Sequence, residues 1–382
     1  VRLLHTSDWH LGRHLHGASL LDAQAAVVDF VVDTARREQV DAVLIAGDLY
    51  DRAIPPLDAV ELFDRALVRL AAEGVAVVAI SGNHDSSARL GFASGLMEGA
   101  GVHLRSRPDA CGQPVLLADE HGPVAIYPLP YLEPAVAQGP LGATECRHQA
   151  VVEAAMDRVR ADLAARRGTR SVVVAHAFVA GEGAPVESDS ERDVSIGGTA
   201  LVGTRAFDGI DYVALGHLHR AQAPGPNVAY SGSPVAYSFS EAGHTKSVTL
   251  VELDGSGLVR TERLPTPVHR SLARVRGSLD DLLGSPAHAD IEDCFVEVTL
   301  TDHERPREPM ARLRERFPHV LRLAFDAPEL TPTTSYRAQV EGRSDLEVCT
   351  AFVEHVRGRA ATLDEIALFD RALADRRVAE VA

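Results

Sequence analysis

The chain is 382 residues long, with 54 acidic against 38 basic side chains, a formal net charge of −16, 46% hydrophobic residues and four cysteines. That length suggests two or three domains with room for a full core, and the composition is that of a folded chain rather than a disordered one. The acidic balance argues against a protein that grips nucleic acid by bulk charge alone. The dispersed cysteines Cys111, Cys146, Cys294 and Cys349 argue against a C-x-x-C zinc site or a disulfide scaffold and for a reducing compartment.

In chain order, Arg2–Ser7 reads as a strand. Leu21–Gln39 reads as an amphipathic helix, because Val27, Val28, Val31, Val32 and Ala35 recur at helical spacing. Strands are expected at Asp41–Ala46, Val75–Ser81, Val124–Tyr127, Ser171–His176, Asp211–Gly216 and Ser247–Leu253, and further helices at Leu57–Glu73 and Arg147–Arg167. This alternation is that of an α/β fold. Leu264-Pro265-Thr266-Pro267 reads as a linker, since its prolines favour extended chain. Beyond it, strands near Arg270–Val275, Cys294–Leu300 and Val320–Phe325 with a helix at Pro309–Phe317 suggest a small α+β unit. From Ser344 onward Leu346, Cys349, Phe352, Val353 and Val356, then Ile366, Leu368, Phe369 and Leu373, mark a helical tail. The expected domains are therefore residues 1–265, 266–340 and 341–382. Nothing approaches the ~20 apolar residues that span a bilayer, and Val1–Asp8 lacks a basic-then-apolar leader. A cytoplasmic protein with no membrane association is expected. The basic residues are arginine throughout except Lys246, a bias read as compositional.

Several apolar runs end in polar, glycine-bounded loops: Asp8-Trp9-His10, Gly47-Asp48, Gly82-Asn83-His84-Asp85, His176 and Gly216-His217-Leu218-His219. Each is weak alone, but loops at the carboxyl ends of strands in an α/β sheet converge on one crevice. Two divalent cations roughly 3.5–4 Å apart need a bridging carboxylate. Asp48, directly after a buried run, is the natural bridge. Imidazoles mixed with oxygen donors suit Mn²⁺, Fe²⁺ or Zn²⁺ rather than Ca²⁺.

In this order the motifs resemble those of the calcineurin-like metallophosphoesterases. The resemblance implies a β-sandwich flanked by helices, with a smaller α+β capping domain and a helical carboxyl-terminal tail. It also implies two divalent cations, Mn²⁺ foremost, one held by Asp8, His10, Asp48 and His219 and the other by Asp48, Asn83, His176 and His217. His84 would act on the substrate phosphate or the leaving oxygen, and the Asp51 carboxylate would orient its ring, against a plainer reading of Asp51 as a turn residue before Pro55. Arg52 is open between phosphate contact and simple solvation. Trp9 reads either as core packing or as a wedge between two ligands.

Longer blocks, Leu4-His5-Thr6-Ser7-Asp8-Trp9-His10-Leu11-Gly12, Tyr212–Gln222, Tyr230–Pro234 and Ser238–Glu241, resemble the SbcD-type nuclease subunits of this family, with Arg192–Gly198 a softer match. That implies an enzyme hydrolysing phosphodiester bonds of DNA, as an exonuclease on duplex ends and an endonuclease on hairpins or blocked ends. It would act with the SMC-like ATPase SbcC as a homodimer within a heterotetramer, the tail docking on the ATPase or else closing its own core. The alternatives are a phosphatase or small-molecule phosphodiesterase of the same fold, and a non-catalytic scaffold for DNA or the ATPase.

Overall fold

The computed structural model describes residues 1–181, 183, 185–191, 200–326 and 343–381, and for 375–381 the backbone alone. The expected Arg192–Gly198 match and the 340/341 boundary lie outside these residues. The described chain divides into two units, one of Val1–Arg274 with Asp293–Glu297, the other of Val275–Glu292 with Val298–Ala382.

The first unit is built on two six-stranded sheets. Its strands are β1 (Arg2–Thr6), β2 (Ala42–Ile45), β3 (Ala76–Ile80), β4 (Val102–Arg105), β5 (Val115–Asp119), β6 (Gly122–Leu129), β7 (Arg170–His176), β8 (Tyr212–Gly216), β9 (Gln222–Gly225), β10 (Val228–Tyr230), β11 (Ser247–Asp254) and β12 (Gly257–Pro265). One sheet runs β12-β11-β1-β2-β3-β4 and the other β9-β10-β8-β7-β6-β5. Within each, the central strands are parallel: β1 to β4 in the first and β6, β7, β8 and β10 in the second.

Alternation along the strands explains the layering. Leu3, Ala42, Leu44, Val78 and Ile80 point inward and meet Val124, Ile126, Val172, Val174 and Ala214 of the opposite sheet in one cluster. The residues between them, such as Leu4, Val43, Ile45 and Val77, face outward onto α1 (Leu21–Arg37) and α2 (Leu57–Ala72). The second sheet's outer face, with Ala125, Tyr127, Val173 and Val213, packs on α3 (Pro134–Leu141) and α4 (His148–Ala165). The central strands are thus buried on both faces, which is why they read as continuous apolar runs. Burying side chains such as Leu62, Phe63 and Leu70 of α2 contributes roughly 1.5–3 kcal/mol each. This is the α/β sandwich between helices that the sequence implied.

The stretch Leu264–Pro267 is not a free linker. Leu264 and Pro265 close β12 by pairing with Val248 and Ser247. β12 is an edge strand, where proline's missing N–H leaves no ladder bond unmade.

Two two-stranded ribbons and a three-stranded sheet complete the described strands; the last runs β13 (Leu272–Gly277), β14 (Phe295–Leu300), β15 (Val320–Phe325), and the unit division cuts β13 and β14. Within the second unit, α5 (Leu279–Gly284) and α6 (Pro309–Arg316) bury Leu279, Leu282 and Leu313. The helices α7 (Asp345–Arg357) and α8 (Leu363–Val381) follow. Ser344 and Glu347 form a reciprocal capping box that starts α7.

Candidate metal centre

The loops after β1, β2, β3, β7 and β8 meet where the carboxyl ends of the two sheets face each other. Asp8 N–H donates to Gly47 O at 3.0 Å, and His10 and Leu11 N–H donate to Asp48 and Leu49 O at 2.9 Å. The first two loops are therefore zipped together by main chain. Asp8, His10, Asp48 and His217 adopt φ of 53°, 42°, 50° and 110°. For residues with a Cβ this costs of order 1–3 kcal/mol each, a strain that persists only where the surroundings fix it and that clusters at functional sites. Glycines let the two sheets close on the site: a Cβ on Gly47 would strike the His176 ring, one on Gly82 the Asp48 carboxylate, and one on Gly216 the Ala46 carbonyl.

Asp48 lies in the middle. Its Oδ1 accepts the His84 N–H at 2.9 Å, while Oδ2 lies 3.6 Å from His10 Nε2 and 3.5 Å from His176 Nε2. On one side His10 Nε2 and His219 Nε2 are 3.1 Å apart, and Asp8 completes a group whose donor atoms lie within 4.8 Å of one another. On the other, Asn83 Oδ1 lies 2.9 Å from His176 Nε2 and 3.3 Å from His217 Nδ1. All seven residues selected from sequence are thus gathered at one place. Asp8, His10, Asp48, His176 and His219 are almost fully buried.

The electrostatics follow from that burial. It holds His10, His176, His217 and His219 below the usual histidine range, so these rings are neutral and carry a lone pair. Burial, then the neighbouring Asp48 charge, pushes the Asp8 carboxyl well up. Second ring nitrogens are tied back: His176 Nδ1 donates to Ala46 O at 2.9 Å, and His219 Nδ1 lies 2.6 Å from Ser190 Oγ, which donates to Glu241 Oε1 at 2.6 Å. Such outer bonds fix the tautomer that presents the remaining nitrogen. His10 Nδ1 and Asn83 Nδ2 are buried without a hydrogen-bond partner. Neutral imidazoles aimed at one another, an amide oxygen and two adjacent carboxylates are a donor set that fits divalent transition metals.

His84 stands beside this group, and its Nδ1 donates to the Asp51 main-chain carbonyl at 2.8 Å. This corrects the sequence reading, which gave that task to the Asp51 carboxylate. The carboxylate instead faces Arg13, 3.5 Å away, and His10 Nδ1, 3.9 Å away. Asp51 N–H donates to Leu11 O, so the loop runs alongside residues 10–13 and turns its side chain that way. Arg52 is mostly exposed, with its guanidinium 3.8 Å from Asp51. Trp9 is buried, bonded to Thr6 Oγ1 and edge-on to Phe63, as core packing demands.

Three supporting residues had no assigned role in the sequence. Asp85 accepts the N–H groups of Leu49, Tyr50 and Gly82 at 3.1, 3.0 and 2.9 Å, tying two loops together. Burial, then the Asp48 charge, pushes its carboxyl to about 7. Gln24, on the apolar face of α1, accepts Gly12 N–H and donates to His10 O. Glu191 accepts the His219 N–H at 2.6 Å, its carboxyl raised by burial to about 7. The only available signals were a lone glutamine among apolar helix positions and the fixed place of Asp85 at the end of its motif.

Two family models match this chain. The family model described as calcineurin-like phosphoesterase matches residues 1–221, and the SbcD_C model, described as type 5 capsule protein repressor C-terminal domain, matches residues 268–357. Among solved structures, TT1561 of Thermus thermophilus is 13% identical, with 70% of this chain and 99% of that chain covered and a TM-score of 0.41. A dimetal phosphatase from Danio rerio is 13% identical over 70% and 99%, with a TM-score of 0.40. With more than half of its 382 residues matched, the chain belongs to the calcineurin-like phosphoesterases, is a metal-dependent phosphoesterase, and carries a carboxyl-terminal domain of the SbcD type.

Proposed function

We propose that this protein is the nuclease subunit of a DNA repair and recombination complex and hydrolyses phosphodiester bonds of DNA with Mn²⁺. The observation that supports it best is Asp48 Oδ2 standing midway between His10 Nε2 and His176 Nε2, in a chain whose carboxyl-terminal part matches the SbcD_C family. In this reading Asp8, His10, Asp48 and His219 hold one cation, and Asp48, Asn83, His176 and His217 the other. When bound, such a pair neutralises phosphate charge and acidifies the attacking water.

The remaining work belongs to the protein. The His84 Nδ1–H bond to Asp51 O leaves Nε2 as the nitrogen that faces substrate, and as an imidazolium the ring would give its Nε2 proton to the leaving 3′-oxygen and become neutral. The zipped loops and the three glycine contacts hold the ligands in place before substrate arrives, which is where such sites gain their rate.

Substrates are duplex ends for exonuclease action and hairpins or blocked ends for endonuclease action. Residues 1–265 act as the nuclease domain, 266–340 as the cap, and 341–382 as the segment that docks on an SMC-like ATPase, within a complex containing two copies of each chain. Removing residues 344–382 should leave hydrolysis of simple substrates intact and end co-purification with the ATPase. An unfolded truncation product would instead make this tail part of the core. The central test is a Mn²⁺-dependent assay of hairpin DNA, blunt duplex DNA and a chromogenic phosphomonoester. Cleavage of both DNAs is expected, and preference for the phosphomonoester would overturn the assignment in favour of a phosphatase.

A further inference from the structure

Lys246 is the chain's sole lysine, every other basic residue being arginine, and it is buried, at 8% exposure. Its ammonium has three acceptors: the main-chain carbonyl of His219 at 2.9 Å, Ser233 Oγ at 2.9 Å, and Glu241 Oε2. Glu241 is itself buried, at 1%. Its other oxygen accepts Ser190 Oγ at 2.6 Å, and that hydroxyl is 2.6 Å from His219 Nδ1. Lys246 therefore holds His219 twice, once by its backbone and once through the carboxylate and hydroxyl behind its ring. A compact ammonium matches three acceptors arranged around one point, whereas a planar guanidinium fork does not. That accounts for lysine at this position in a chain that uses arginine everywhere else.

We propose that Lys246, acting through Glu241 and Ser190, is a positioning residue that fixes the main chain and ring of His219 so that its Nε2 faces the metal centre. The proposal rests on the reading of His219 as a metal ligand. Removing one such outer contact typically lowers metal affinity about 10–100-fold. The effect belongs to the cation on the Asp8, His10 and His219 side, because Lys246 and Glu241 bond to His219, Ser233 and Ser190, while the rings of His176 and His217 bond to Ala46 and Asn83.

The test is calorimetric titration of Mn²⁺ alone into the metal-free full chain and into Lys246→Met, Lys246→Arg and Glu241→Gln variants. The wild type should take up two ions. Each variant should bind one of them about 10–100-fold more weakly, with the arginine failing to rescue. Wild-type affinity at both sites in Lys246→Met would overturn the proposal. A wild type that binds no Mn²⁺ would overturn the metal-centre reading instead. Should the variants fail to fold, the wild type still decides: labelling with ¹⁵N-lysine gives a single Nζ resonance, expected to shift during titration with diamagnetic Zn²⁺. A resonance unmoved by saturating Zn²⁺ would overturn the positioning role.

Discussion

Among single residues, the two with the sharpest assignments are Asp48 and His84. Asp48→Asn keeps the shape but removes the charge between His10 and His176. It should bring metal content below two ions per chain and hydrolysis down on the order of 10²–10³-fold, measured by metal analysis and turnover. His84→Ala should retain both ions and lose on the order of 10²–10⁴-fold in kcat, the range for a general acid. Loss of metal in that variant would move His84 into the coordinating set. His5 makes a different prediction. It is buried on β1, and its Nε2 donates to Leu215 O while Nδ1 accepts from Tyr212 OH, linking one sheet to the other. Burial holds it down at about 3 from the ordinary 6.5. An unfolded chain binds the proton that the native one refuses, so His5 reduces stability as pH falls below about 6.5, until protonation catches up near 3. Between pH 7 and pH 5 the wild type should therefore lose about 2 kcal/mol more than His5→Gln, as read from urea unfolding at both pH values. Equal losses would refute the neutral cross-sheet histidine.

At the level of elements, the strands and loops that carry the chemistry were legible because each is an apolar run ending in an abrupt change to glycine and polar residues. β1, β2, β7 and β8 lie where the β-branched runs fall, and α1 and α2 where the helical spacing does. What was not legible lacked such contrast. β12 is largely exposed on a sheet edge, so its residues alternate without an apolar face, and Pro265 at its end with Pro267 just beyond reads as a linker. The roles of Asp85, Gln24 and Glu241 come from backbone and side-chain donors brought to them by the fold, which no local pattern announces. The glycine contacts yield a prediction of their own. Gly216→Ala would drive a methyl group into Ala46 O and against His176 Nδ1, parting β8 from β2. A loss of about 1–3 kcal/mol together with a fall in metal affinity is expected, seen by denaturation and titration. Gly139→Ala, inside α3 with open space around it, serves as the control: metal affinity should be unchanged and stability unchanged or raised by up to about 1 kcal/mol.

For the whole molecule, the charge that first argued against nucleic acid becomes, under the proposed function, a constraint on how DNA would be held. Split at residue 270, acidic side chains outnumber basic ones on both sides, so neither stretch is basic overall. If DNA is the substrate, as proposed, the isolated chain should bind it weakly, through a few local cationic contacts. Affinity should fall roughly tenfold or more between 50 and 200 mM salt, measured by fluorescence anisotropy. Binding that is tight and insensitive to salt would contradict this account. The wiring of the site also bears on how the chain matures. The His217 N–H reaches the Asp8 carboxylate across 209 positions of sequence, and His176 reaches Asn83 across 93. A growing or refolding chain thus closes its longest loops before it owns a single complete coordination sphere, a slow class of event. With the ligands proposed, cation capture would be one of the last acts of folding, rewarding only chains whose sheets have already met. Metal supplied during refolding should raise the yield of native protein rather than the speed of collapse.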